Sequence, residues 1–426
     1  MKQPTPIEAL RTYVDSLPII DTHEHLPRYE HLREQAPDVL SEYISHYFKY
    51  DLFSAGLSEE LYQQALDCDL PLTDRWDLIE PYWEACRCTG YGQHLDATAR
   101  SLYTIARIDR STIGTLQEAY AKQNSNPRHL HELFAQAKVE TCLLDADDYL
   151  IDCDTSYAQG VCRIDALVAP GSWKEINRLE ECSGVSICSF SSYLKAVDHI
   201  IQLALGKGSK AFKLGLAYTR SLRFERTTYA EAEQAFNQIF ANKQYPRWKD
   251  KPICLEKQAQ DYLLHHVLEL ADENHQVLQI HTGLQAGNAN YLANSNPLLV
   301  SNLCLEYPQV SFCLLHLGFP YQEEACVLAK SFPNVYLDMA WNHIISPSAS
   351  IRFLTECLDL VPYTKLFAFG GDESKPDLFF GHLSMAKEHA AFAFSLLVEQ
   401  EKLTLEQAEK ILLALFYTNP KRVYRL

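Results

Sequence analysis

No run of apolar residues in this chain approaches the ~18 that a membrane-crossing helix requires, so no membrane span is expected. The opening residues, Met1-Lys2-Gln3-Pro4-Thr5, lack the long apolar stretch of a secretory signal. Basic residues are in deficit: 38 Lys and Arg face 55 Asp and Glu, a formal net charge of −17 at pH 7. That balance argues against nucleic acid or an anionic membrane as the main partner, while leaving room for a local basic pocket. No internal repeat, low-complexity tract or long linker interrupts the 426 residues. Zinc-knuckle spacing is missing too, because the closest cysteines, Cys86 and Cys88, have one residue between them and no partner pair. The 13 cysteines are odd in number and scattered, several in apolar runs (Cys142, Cys162, Cys313). They fit reduced, buried thiols in a cytoplasmic protein.

What is present begins with a capping box. Thr5-Pro6-Ile7-Glu8, with proline at the first helical position, predicts a short helix through about Val14. An apolar strand follows, Leu17-Pro18-Ile19-Ile20-Asp21-Thr22, ending in His23-Glu24-His25. Alternate strand residues share a face, so both imidazoles project together, and two neutral histidines start a metal site. Glu24 faces the other way and is assigned no catalytic role. From about 28 to 130 the chain is rich in Tyr, Leu and charged residues with helical spacing (Leu57, Leu61, Ala65), which predicts a helical insertion roofing the site.

Beyond it, short apolar runs alternate with helical stretches: Val139–Leu144, Cys162–Val168, Ala211–Leu216, Val277–His281, Val310–Leu315, Val335–Leu337 and Leu366–Phe369. Runs apolar at consecutive positions suggest strands buried on both faces, as in parallel sheets. With the first strand they predict an α/β fold, a (β/α)8 TIM barrel with a large helical insertion after strand 1, the whole of 1–426 forming one domain. A second capping box, Thr404-Leu405-Glu406-Gln407, predicts a closing helix through Leu415.

Polar residues recur where these strands end. His281 ends the fifth, His316 follows the sixth, Asp372 follows the eighth, and Lys213 lies in the fourth. In such a barrel the C-terminal strand ends converge on the active site. Singly, each has an ordinary explanation: a hydrogen-bonded structural histidine, a helix N-cap, a lysine paired with a carboxylate. Their joint placement predicts one metal-binding constellation.

On Asp21-Thr22-His23-Glu24-His25, His281, His316, Asp372 and the ending Asn419-Pro420-Lys421-Arg422, the chain resembles the amidohydrolase superfamily of metal-dependent barrels. Within it the chain is most similar to the amidohydrolase-related group, near the uronate isomerases and the non-oxidative decarboxylases. The resemblance implies a divalent metal, zinc first, on His23, His25, His281 and Asp372, with Asp372 also moving the proton of the attacking water. It implies that His316 polarises the substrate carbonyl or binds a second metal. Lys213 either meets the substrate or, carboxylated, bridges two ions. Arg220 and Arg223 are candidates to hold a substrate carboxylate, with solvated surface arginines the ordinary alternative. Trp341, Asn342 and His343 are candidates to line the pocket, with Asp338 orienting them. From the insertion, Tyr50, His46 and Asp51 are candidate substrate contacts.

The resemblance implies a hydrolase cleaving a C–N or C–O acyl bond of a small, carboxylate-bearing molecule, with a homo-oligomer compatible. Non-oxidative decarboxylation and uronate isomerisation use the same constellation. A metal-stabilised binding protein is the non-enzymatic alternative, and an open ligand set speaks against it.

Overall fold

A computed structural model describes residues 4–241 and 252–426. Helix α1 (Pro6–Ser16) starts at the expected capping box, with Thr5 and Glu8 bonding reciprocally. It leads into β1 (Ile19–Glu24), buried at every position. The chain then leaves the sheet through α2 (Val39–Ile44), α3 (Phe48–Ser54), α4 (Glu59–Leu66), α5 (Leu72–Cys86), α6 (Gly90–Tyr103), α7 (Ile113–Asn124) and α8 (His129–Ala137). No strand interrupts this stretch.

The sheet resumes with β2 (Val139–Leu144), β3 (Ala158–Gly160) and β4 (Cys162–Arg163). Helices α9 (Asp165–Val168), α10 (Trp173–Ser183) and α11 (Phe190–Gly206) precede β5 (Phe212–Leu214). Then come α12 (Tyr229–Ala241), α13 (Lys257–Glu273), β6 (Val277–His281), α14 (Ser301–Glu306) and β7 (Ser311–Leu315). They are followed by α15 (Gln322–Ser331), β8 (Val335–Asp338), α16 (Asn342–Ile345), α17 (Pro347–Glu356) and β9 (Leu366–Phe367). Helices α18 (Pro376–Glu399), α19 (Leu405–Leu413) and α20 (Asn419–Val423) finish the chain.

Every strand pairing is parallel. β3 and β4 are two halves of one barrel strand: β3 pairs with β2, and β4 with β5. Val161 between them donates to Leu144 O at 2.9 Å. Backbone bonds from β1 to the segment after β9 close the ring: Thr22 N–H to Phe369 O (3.2 Å), Asp372 N–H to His23 O (2.9 Å) and His25 N–H to Glu373 O (3.1 Å). The fold is therefore a (β/α)8 barrel. Tyr424 packs with interior residues of the barrel such as Leu143, Val277, Cys313 and Phe367. Its hydroxyl accepts from Gln279 Nε2 (3.1 Å).

Several boundaries differ from expectation, and two of the differences have a visible cause. The third strand stops at Arg163 rather than running to Val168. Asp165 accepts the Gly215 N–H (2.7 Å) and the Arg163 Nε–H (2.8 Å), and Leu167 and Val168 fold back onto Ile164 O. A carboxylate anchored there converts the apolar continuation into a helical turn. At the C-terminus the α-helix ends at Leu413 and widens to a π-turn over Ala414–Thr418, where Leu415 O accepts from Ala368 N–H (3.0 Å). That bond draws the turn against the end of β9.

The inserted helices carry their own apolar cluster, built on Trp76, Trp83, Phe48 and Leu116. They seat on the barrel through α6. Gly90, its first residue, lies so close to the Ile344 and Ile345 carbonyls that a β-carbon would collide with backbone. No helix among the described residues is long and apolar enough to cross a membrane. Gly90→Ala is expected to lower unfolding free energy by about 2–3 kcal/mol, the cost of forcing atoms into a filled contact. Urea denaturation measures it, and an unchanged midpoint would show that the seam is loose.

Candidate functional site

The site forms where strand 1 meets strand 8. Asp21 Oδ1 accepts from both His23 N–H and Gly371 N–H (3.2 Å each), so one buried carboxylate ties the two strand ends together. Glu24 does face away from the histidine pair, and it braces the same junction. Its Oε2 accepts from Glu373 N–H (2.9 Å), and Gly371 has no space for a side chain beside it. Burial holds the carboxyls of Asp21, at about 7, and Glu24, well above its usual range, in their protonated form more than solvent would.

On the open side the imidazoles converge on Asp372. His23 Nε2 lies 3.2 Å and His25 Nε2 3.3 Å from Asp372 Oδ1. Lys213 Nζ lies 3.0 Å from His23 Nε2 and is buried. Burial and the Lys213 charge push His23 down to about 4, leaving a neutral ring able to act as a ligand. Burial raises the Asp372 carboxyl, but hydrogen bonds from His23 and His25 outweigh it and hold it well below the carboxylate range.

Beside this cluster stands a second pair, His281 and His316. His281 Nε2 sits on Leu284 O (2.8 Å) and His316 Nδ1 on Ala340 O (2.9 Å). A carbonyl only accepts, so both outer nitrogens carry the proton. The inner nitrogens, His281 Nδ1 and His316 Nε2, are then lone pairs 3.0 Å apart. Two facing lone pairs repel unless they share a proton or turn to a cation. Anchoring one ring nitrogen on a carbonyl while freeing the other is how proteins set a histidine to hold a metal. The donor set therefore fits a divalent ion with nitrogen and oxygen ligands.

Sequence reasoning missed Asp145. It directly follows the apolar run of β2, is fully buried, and donates its N–H to Glu24 O (2.8 Å). Ligand atoms of His23, His25 and Asp145 all lie within 4.8 Å of one another. Burial pushes its carboxyl up, but the charges of His25, Arg163 and Lys213 prevail and lower it. The strand-end rule that found His281 and Asp372 would have found it too.

Tyr47 was also missed, although its neighbours His46, Tyr50 and Asp51 were singled out. Its hydroxyl donates to Asp372 O (2.7 Å) and lies 3.2 Å from Asp372 Oδ2. Its ring stacks on Trp341 (4.6 Å) and Tyr91 (5.4 Å). Trp341 meets His316 edge-on at 5.3 Å. His46 Nδ1 is 2.9 Å from Glu373 Oε2, while Asp51 accepts the Thr89 hydroxyl. Tyr50 lies at the loop after β6, its carbonyl accepting from Asn288 Nδ2 (3.3 Å). Asp338 accepts from Ala340 N–H (2.9 Å) and so sets the start of the Trp341 segment.

Three expected substrate contacts go elsewhere. Arg220 spends its donors on Asp261 (2.8 Å), Gln260 and two backbone carbonyls, and its guanidinium lies over Phe224. Arg223 is exposed and pairs with Glu225. His343 is buried between Ala368 O (2.9 Å) and His389 (3.2 Å). Nearby acids, carbonyls and an imidazole hold these groups.

Three site residues hold left-handed backbone: His316 (φ 64), Trp341 (φ 63) and Asp372 (φ 54). Each lies just beyond a strand end. Such conformations cost non-glycine residues on the order of 1 kcal/mol or more, and they turn these side chains inward.

Residues 226–426 match the sequence profile of the Amidohydrolase family. Protein fluG of Emericella nidulans is 33% identical over 187 residues, which make up 42% of this chain and 21% of that protein. The chain thus spans about a fifth of the length of that relative. A uronate isomerase of Thermotoga maritima superposes with a TM-score of 0.79 at 16% identity, covering 98% of this chain and 97% of that one. A Lactobacillus casei protein described as a metal-dependent hydrolase superposes at 0.66 with 20% identity, over 98% and 97%. Residues 226–426, just under half of the chain, therefore carry the profile of the Amidohydrolase family, and the whole chain folds as the kind of barrel seen in that uronate isomerase.

Proposed function

We propose that this protein is a metal-dependent hydrolase that cleaves a C–N or C–O acyl bond in a small, carboxylate-bearing molecule. The observation that carries the reading is the inward pair of unprotonated nitrogens on His281 and His316, set beside His23, His25 and Asp372. His23, His25, His281 and Asp372 would hold the ion, zinc first, with Asp145 a further oxygen donor. When bound, such an ion brings the pKa of a coordinated water towards about 7.

Asp372 then accepts a proton at its carboxylate and passes it to the leaving group. Tyr47 holds that carboxylate in place from the insertion side. The stacked Tyr91, Tyr47 and Trp341 rings form an apolar wall that excludes water, and the inserted helices serve as a roof. His316, its outer nitrogen committed to Ala340 O, acts through its inner lone pair as ligand or proton acceptor, so polarising a carbonyl is not its role while the ring is neutral.

With Arg220 and Arg223 engaged elsewhere, Lys213 is the cation that meets a substrate carboxylate. A carboxylated Lys213 bridging a second ion is the rival role. The unpaired state of all 13 cysteines supports a cytoplasmic enzyme.

A second reading, isomerisation of a uronate, is favoured by the phenol–carboxylate pair of Tyr47 and Asp372, which can hand a proton between adjacent carbons. Incubation with a panel of N-acyl and lactone acids and with uronates separates the two. Release of amine or ring-opened acid supports hydrolysis. A ketose product without water consumption would replace it with isomerisation.

Chelation is expected to remove activity, and added Zn²⁺ to restore it. Asp372→Asn is expected to lower kcat about 10²–10⁴-fold with the fold intact by circular dichroism. Full turnover by the metal-stripped protein would overturn the proposal. Arg220→Ala should leave KM within about twofold yet destabilise by about 2 kcal/mol, since it removes the charged partner of Asp261 Oδ1, leaves Lys257 to pair with that buried carboxylate, and empties the space over Phe224. A large rise in KM with unchanged stability would return Arg220 to the substrate.

A further inference from the structure

A cavity of about 840 Å³ opens at the seam between α6 of the insertion and α18 of the barrel, away from the metal cluster. Arg87, Ala97 and Arg100 line it from one side, and Ser384, Met385 and His389 from the other. Its volume lies in the range of small-molecule sites.

Most charges along this wall are already matched. Arg87 pairs with Glu84 and Asp96 and donates to Ile108 O. Glu388 is taken by Arg11 on its outer side. Arg100 has no ion-pair or hydrogen-bond partner among the described residues, so its guanidinium donors remain free at the cavity.

His389 adds a lone pair of known direction. His343 Nε2 donates to Ala368 O (2.9 Å), so His343 Nδ1 is the acceptor of that neutral ring. His389 Nδ1, 3.2 Å away, must then be the donor. The remaining nitrogen, His389 Nε2, is left as an acceptor. Burial keeps both rings neutral at ordinary pH, His389 at about 4 and His343 at about 3.

The floor of the cavity is also the back of the active-site wall. Ala97 and Met385 belong to one apolar cluster with Tyr47 and Trp341. His343, against which His389 rests, lies two residues past Trp341.

We propose that this seam cavity is a second binding site, for a small hydroxy acid whose carboxylate meets Arg100 and whose hydroxyl donates to His389 Nε2. One anionic group and one donor are what the unmatched groups of the cavity require. Because its floor packs on Tyr47 and Trp341, an occupant stiffens the wall that positions Asp372.

Calorimetric titration of L-lactate, a hydroxy acid with one carboxylate, into the intact protein tests this. Saturable binding is expected in the wild type and in His25→Ala, which disables the metal cluster but leaves the seam untouched. Arg100→Ala, at an exposed position that tolerates truncation, and His389→Phe should each weaken binding tenfold or more with melting temperature unchanged for Arg100→Ala. Absence of saturable heat, equal affinity in Arg100→Ala, or loss of binding in His25→Ala would overturn the proposal, the last by placing lactate at the metal cluster.

Discussion

The closure of the barrel between strand 1 and the segment after β9 is the contact on which everything else rests. Three backbone bonds cross it, and two of them involve the proposed metal-binding residues: Asp372 donates to His23 O, and His25 donates to Glu373 O. The hydrogen bonds that complete the sheet are therefore the ones that set the distance from Asp372 to both imidazoles. Fold and site cannot be separated here, because loosening the closure moves the carboxylate off its histidines.

Behind that junction the protein buries acids that water would otherwise ionise. Asp21 and Glu24 sit with no solvent exposure, held by backbone N–H groups of residues 23, 25, 371 and 373. Their desolvation is tolerable because they can stay protonated and still accept those bonds. In front, Asp372 is kept ionised by the same histidines it orients. One short segment thus carries neutral carboxyls on its back and an anionic one at its face, and the difference comes from which partners each side meets.

The insertion contributes a wall of aromatic rings. Its own core of tryptophans and leucines makes it rigid, and Gly90 lets α6 press onto the backbone after Trp341. Tyr47 then reaches Asp372 from above, within a stack that runs from Tyr91 to Trp341. A hydroxyl bonded to the strand-8 carboxylate couples the least regular part of the chain to its most constrained part.

Much of the architecture was legible in the sequence. Strand residues buried on both faces read as apolar runs, and the doublet His23 and His25 declares its shared face through the period of two. Strand ends were less legible: Asp165 turned an apolar continuation into a helix by a bond to Gly215, a partner some 50 residues away. Tyr47 escaped because the insertion has no strand register to say which of its aromatics turns towards the site. Arg220, by contrast, looked like a substrate anchor until Asp261 was seen to hold it.

By itself, then, the sequence determined the barrel, the helical excursion and the set of strand-end histidines and acids, because periodicity and burial leave their mark on local composition. Tertiary structure alone decided which polar groups are free. Whether a histidine nitrogen carries its proton, or an arginine its charge, into the site depends on the carbonyl or carboxylate beside it, and those neighbours come from distant parts of the chain.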